Sequence, residues 1–252
     1  MKLSSARFST KVLVIFGVVI FLFAATIYFG RQVRVYLDMV RYTPERWWQE
    51  SPRPLTDLSA SPAPGKTLSY FGYKFDVPWT GVVREWTRDD ARQAAILFDT
   101  GHVVLFWDPA YSQSDSSPGY SGSKYEHLKS VLSITRSGLS PFLSHQNFTR
   151  QRDRFDAKGW MLEHSGATDI FSFETHDYKG FEVSGLSYNG SVAIGLFDAA
   201  DHQFLIEIQQ VSGPLIKTSQ QDVNRLIQSF GPAQQESWVE APQPRGHFGL
   251  YR

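Results

Sequence analysis

The sequence predicts an α+β domain, an antiparallel sheet built from hairpins with helices packed on its faces, preceded by one transmembrane helix. Three observations predict it. Residues 12–29 form an uncharged, almost wholly apolar run. Short apolar segments with strand alternation are joined in pairs by tight turn signals. Helical patterns come between and after those pairs and do not alternate with single strands, which excludes a doubly wound parallel sheet.

The run Val12–Phe29 is about 27 Å long as a helix, enough for a hydrocarbon core of about 30 Å with interfacial ends. It is apolar on every face, unlike an amphipathic surface helix. A secretory signal would carry a shorter apolar core and an A-x-A-like cleavage site. Cleavage after Ala25 would place Phe23 at the −3 position, and cleavage after Gly30 would place Tyr28 there, both too large. The run therefore reads as an uncleaved anchor, residues 12–30, with the membrane as its partner through residues 12–29. Lys2, Arg7 and Lys11 precede it, and Arg31, Arg34 and Arg41 follow it. With the free amine, this slight bias sets residues 1–11 as a cytoplasmic tail and the body outside.

Seven of the 25 basic and two of the 25 acidic residues precede position 49, so the remainder carries 18 against 23, a net charge of −5. Such a body has no basic surplus for nucleic acid. An aromatic content of 15% argues against disorder. The absence of cysteine excludes disulfides, thiolate metal sites and a cysteine nucleophile, and favours a bacterial envelope protein over a eukaryotic secreted domain.

Residues 31–48 extend the anchor helix toward Pro44 and the pair Trp47–Trp48. Residues 31–65 form a juxtamembrane segment and a linker rich in proline (Pro52, Pro54, Pro62, Pro64), extended and holding the body off the bilayer. The globular domain spans 66–232. "TLSYFGYKFDVPW" gives two strands around Gly72, and Val82–Trp86 gives a third. Asp99-Thr100-Gly101 turns Ala95–Phe98 back onto Val103–Phe106. Residues 109–123 are a Ser/Gly/Pro loop. Ser123 and Glu126 start a helix by the capping-box pattern. Ser140-Pro141 reads as the start of a second helix ahead of Phe142, Leu143 and Phe148. "RQRDRFDAKG" reads as a polar stretch leading to a short helix at Trp160–Leu162.

In the C-terminal half, "DIFSFET" and "GFEVSGL" flank His176–Lys179 as one hairpin, and "SVAIGLF" and "QFLIEIQQV" flank "DAADH" as another. The last helix is capped by Ser219 and Asp222, carries Val223, Leu226, Ile227 and Phe230 at i, i+3, i+4 and i+7, and is stopped by Gly231-Pro232. Residues 233–252 form a patternless tail. The early "FDVPW", the meandering hairpins and the late helix ending "VNRLIQSF" resemble the Mog1/PsbP-type α/β/α sandwich over residues 66–232. That resemblance implies a fold found in bacterial envelope proteins with varied binding and scaffolding roles, and carries over no functional residue.

Motifs that carry chemistry are mostly missing. "APGKT" ends like a phosphate-binding loop, but the glycine required five positions before Gly65 is Ala60, and a strand pattern follows in place of a helix. "GYSGS" (119–123) falls one position short of a nucleophile elbow. His164, His176 and His202 sit beside Glu163, Asp177 and Asp201, and the two turn histidines could share one end of the sheet, the only spacing that suggests a metal site. Turn chemistry explains the same residues without a metal. Asp89–Asp90 is a neighbouring carboxylate pair. "RQRDR" (150–154) reads as a solvated edge, and Phe171, Phe173, Phe181, Phe197 and Phe204 read as core. Asn147-Phe-Thr149 and Asn189-Gly-Ser191 match the glycosylation triplet. No catalytic, cofactor-binding or metal-ligating residue is assigned, and no cofactor is expected. The sequence thus points to a non-catalytic binding or accessory domain with an unidentified protein or envelope partner. The alternative is a metal- or carboxylate-dependent envelope hydrolase without a motif.

Overall fold

The computed structural model describes residues 10–45, 51–62, 65–88, 92–108, 122–164, 166–185, 191–211 and 218–233. Helix α1 (Thr10–Tyr42) is continuous and includes an apolar stretch long enough to cross a membrane. Its first half is exposed on all sides, with Phe16 64% and Phe21 71% accessible. From Gln32 onward it is one-sided: Gln32 is buried, Tyr36, Met39 and Val40 are half-buried, and Arg31, Arg34, Leu37 and Arg41 are exposed. The buried stripe recurs every three or four residues, as a helix docked on one side requires.

Strand β1 (Arg53–Pro54) is followed by the hairpin of β2 (Lys66–Tyr70) and β3 (Tyr73–Val77), then by the meander β4 (Val82–Arg88), β5 (Gln93–Phe98) and β6 (His102–Trp107). The turn between β5 and β6 places Gly101 at φ 79°, a conformation that favours glycine. Helices α2 (Lys124–Leu132) and α3 (His145–His164) come next. They lead into a second meander of β7 (Asp169–Glu174), β8 (Lys179–Ser184), β9 (Val192–Phe197) and β10 (Gln203–Gln210). Helix α4 (Gln220–Ser229), with both arms of its capping box formed by Ser219 and Asp222, and β11 (Gly231–Pro232) complete the described chain.

The eight-stranded sheet runs β1-β7-β8-β9-β10-β6-β5-β4, and the three-stranded sheet β11-β3-β2. Every pairing is antiparallel except β1 on β7. The second meander joins the first through β10 on β6, Leu205 opposite Trp107 through Gln210 opposite His102. The small sheet and α4 cover the inner face, burying Phe75, Ile96, Phe106, Ile194, Ile206 and Leu226 in one core. The outer face carries a second cluster of Leu132, Leu162, Ile170, Phe181 and Phe197 beneath α2 and α3. A third joins Ile134, Leu139 and Phe155 to Tyr36, Met39 and Val40 of α1.

Three sequence expectations change. Helix α3 starts at His145, not at Pro141, because Ser144 takes the cap: the Phe148 N–H donates to its carbonyl at 2.9 Å. "RQRDRFDAKG" lies within α3, which runs unbroken through Gly159, with Phe155 and Lys158 buried inward. The proline-rich segment is extended but lies against the body. Leu55 N–H donates to Ser172, Ser61 N–H to Gln221, and the Asn224 amide to the carbonyls of Asp57 (3.0 Å) and Ser59 (3.1 Å). Proline fixes an extended backbone, while the freed carbonyls and Leu55 and Leu58 find partners on the domain. Trp47–Trp48, most of the 109–123 loop and residues 234–252 lie outside the described residues.

The α4 stripe is the element on which the inner core closes. Phe230 has five aromatic rings within 6.3 Å, those of Tyr73, Phe75, Phe106, Tyr178 and Phe204. Leu226→Ala should cost about 2–5 kcal/mol and Phe230→Ala about 3–5 kcal/mol. Denaturant unfolding should read both as a lower midpoint with an unchanged slope.

Candidate functional site

A cleft of about 380 Å³ lies between α2, the C-terminal end of α3 and the outer face of β8, β9 and β10. That volume lies within the usual range for ligand sites, about 300–1,000 Å³. Its walls are Leu128, Leu132, Trp160, Met161, Phe181, Val183, Ala193 and Leu205, and Gln203, Glu207 and Gln209 line the β10 side. The cleft arises from two small residues on β9. Ala193 and Gly195 point outward where Val183 and Phe181 of β8 and Glu207 and Leu205 of β10 flank them. A Cβ at Gly195 would meet Leu128 Cδ2 at 3.6 Å and Phe197 Cε2 at 3.9 Å, ordinary contact, so space rather than backbone strain is what glycine provides there.

The helix above the cleft is held by the β9–β10 turn. Asp201, at φ 63°, accepts from the Ser123 hydroxyl at 2.8 Å, the Tyr125 N–H at 3.1 Å and the Lys124 N–H. Burial would raise its pKa, but these hydrogen bonds and nearby Lys179 hold it below the usual carboxylate range. A carboxylate at a helix N-terminus also complements the helix dipole. Tyr125 stacks on Phe181 at 5.1 Å and receives Lys179 Nζ 4.1 Å from its ring centroid, which fixes the first turn of α2 over β8.

A second feature lies on the opposite face of β8. Glu182 is fully buried against the inner core. Its Oε2 accepts from Gln220 Nε2 at 2.8 Å, and its Oε1 has no hydrogen-bond partner among the described residues. Burial pushes its pKa up to about 7, against hydrogen bonds from Gln220 and Ser184, with Asp169 adding to the rise. Asp169 in turn pairs with Arg53 of β1. The sequence reading missed Glu182 because Phe181 and Val183 on either side make it look like the solvent side of an alternating strand.

The residues singled out from sequence scatter. The β7–β8 and β9–β10 turns do share one end of the sheet, since Lys179 and Gln203 both pair with Phe197. There His202 Nδ1 lies 2.8 Å from Asp198 Oδ2, while Asp198 Oδ1 accepts from the Ala200 and His202 N–H groups. His176 is almost fully exposed beside Asp177 at 3.8 Å. His164 ends α3, away from both turns in sequence. Among the described residues no group of three or more His, Asp or Glu is placed to hold a metal ion. Lys66 and Thr67 are strand residues, and a Cβ at Gly65 would meet the Val77 carbonyl at 2.2 Å, so a close strand approach explains that glycine. Arg152 pairs along α3 with Asp153 at 3.1 Å and Asp156 at 3.8 Å. Phe173, Phe181, Phe197 and Phe204 are core, while Phe171 is half-buried beneath the Arg53 guanidinium, 5.1 Å away. Asn147 lies in the first turn of α3. Asp89–Asp90, Asn189, and residues 119–121 of "GYSGS" lie outside the described residues.

Glu182 should make the fold sensitive to pH. Its folded pKa of about 7 lies above the unfolded value near 4.5, so the folded state holds the proton more tightly. Stability linked to this group is complete below the unfolded pKa and is lost as pH rises through 7. The loss should be on the order of 3 kcal/mol between about pH 5 and pH 8, at about 1.4 kcal/mol per unit. Glu182→Gln should flatten that slope in pH-dependent unfolding, and a slope equal to the parent's would exclude Glu182 as its source.

No protein-family model, no curated protein and no solved structure matches the chain.

Proposed function

We propose that the chain is a single-pass membrane protein whose α+β domain has a non-catalytic binding role, with the outer-face cleft as its site. The cleft carries the binding half of this reading. Apolar walls from two helices and three strands and a polar edge along one strand suit an apolar group with a polar end, either a small amphipathic molecule or a side-chain cluster of an envelope partner. The anchor half is supported by α1, whose exposed apolar stretch continues unbroken into the cluster with Ile134, Leu139 and Phe155. Tyr28 and Phe29, at the end of the apolar run, both touch the body, which supports a helix that stays with the domain. The body side of the membrane is read as extracytoplasmic from the charges flanking the run.

Gly195→Val should narrow the cleft, because a Cβ is accommodated there at ordinary contact distance from Leu128 and Phe197 and the two methyl groups add bulk at the cleft floor. Native mass spectrometry of the full chain released from its own membrane should show an apolar small molecule bound one to one. The valine variant should lose most of it, at an unchanged melting temperature. Equal occupancy in both proteins would sink the cleft as the site. Because the chain has no cysteine, a cysteine at Val83, 63% exposed on β4, reports sidedness directly. An impermeant maleimide should label it in intact spheroplasts, and labelling only after lysis would reverse the orientation.

A further inference from the structure

The body meets α1 at a defined height, and that height is where the apolar run ends. The Tyr28 hydroxyl accepts the His145 N–H at 3.0 Å. Gln32 is 3% exposed, and with its amide nitrogen turned to the loop it donates to the Pro141 carbonyl at 2.6 Å and the Leu143 carbonyl at 3.2 Å. These bonds pin the Ser140–Ser144 loop alongside residues 28–32. At its tip Phe142 is 72% exposed, more than any other large apolar side chain described in the body. Its ring centroid lies 6.3 Å from that of Phe29, the last residue of the run. The charge pattern agrees: Arg31 and Arg34 are exposed on α1, and residues 127–152 contain no Asp or Glu.

We propose that the Ser140–Ser144 loop is a second membrane contact of this protein, with Phe142 seated in the interfacial layer of the bilayer beside Phe29. This rests on reading α1 as the anchor. The occupant of the exposed face is the lipid surface, because the loop is continuous with the apolar half of α1 and fixed at its end. An exposed aromatic ring at that depth finds the apolar side of the headgroup region, while Arg31 and Arg34 meet phosphates. The body then rests on the membrane, and the proline-rich segment, folded back on the domain, does not act as a spacer.

The cysteine-free chain allows one nitroxide label at a time on the full protein, reconstituted in vesicles of phosphatidylcholine and phosphatidylglycerol. Labels replace Phe16, Gln146 or Val83, and power saturation compares collisions with oxygen, which concentrates in lipid, and with a water-soluble nickel chelate. The Gln146 label keeps Phe142 in place. Position 16 should be lipid-like, position 83 water-like and position 146 intermediate, at headgroup depth. Adding Phe142→Glu should raise the nickel accessibility at 146 severalfold and leave position 16 unchanged. If position 16 is lipid-like while 146 matches 83, the loop does not touch the bilayer and the inference fails alone. If position 16 is itself water-like, the anchor reading fails and takes the inference with it. Shielding of 146 from both reagents means that protein covers the loop, and this also overturns the proposal.

Discussion

The antiparallel pairing of β10 with β6 turns two local meanders into one sheet. Each meander is held by short hairpins, but β6 and β10 lie about 100 residues apart, so their contact carries a larger loop-closure cost than any hairpin within either meander. Inner-face packing offsets that cost. Val104 and Phe106 of β6 stand opposite Ile208 and Ile206 of β10, and the small sheet and α4 close over them. Phe230, at the end of α4, contacts rings from β3, β6, β10 and the β7–β8 turn together. The inner core presupposes this join, because it takes residues from both meanders.

Helix α1 lives in two environments. Its first half exposes large apolar side chains in every direction, over a length sufficient to cross a membrane. Its second half buries one stripe against the α2–α3 connection and α3. The change comes within one turn, around Gly30–Gln32. The segment after α1 returns along the far edge of the sheet as β1 and crosses α4 through Asp57 and Ser59. Two segments that sequence reading assigns to a tether therefore clasp the domain from different sides.

The two faces of β8 serve different ends. Outward, Phe181 and Val183 form part of the apolar cleft wall. Inward, Glu182 places a carboxyl where burial disfavours its charge. It is linked through Gln220 and Asn224 to the carbonyls of the returning segment, since Gln220 Nε2 also lies 3.1 Å from Asn224 Oδ1. A buried acid is weak evidence for stability and better evidence for specificity. Here it ties the first helical residue of α4 to one sheet position and one strand register.

Local signals were legible where local physics decides. The uncharged run, the Asp99–Gly101 turn, the Ser219/Asp222 cap and the stripe Val223–Phe230 each depend on residues within a few positions of one another, and each element stands where the sequence predicts it. The start of α3 differs because Ser140-Pro141 and Ser144 are both competent caps, and Gln32, over 100 residues away, bonds the carbonyls of Pro141 and Leu143 while Tyr28 accepts the N–H of His145, the first helical residue. The cleft left only the faint signal of Ala193 and Gly195 in a strand of larger residues. Glu182 left a misleading one, because alternation marks a solvent face only when one side of a sheet is covered. The sequence by itself determined the membrane-length helix, the hairpins and the helix caps. Tertiary structure alone decided which strands became neighbours, which faces were buried twice and where the body met α1, because those outcomes depend on contacts between residues that the chain keeps far apart.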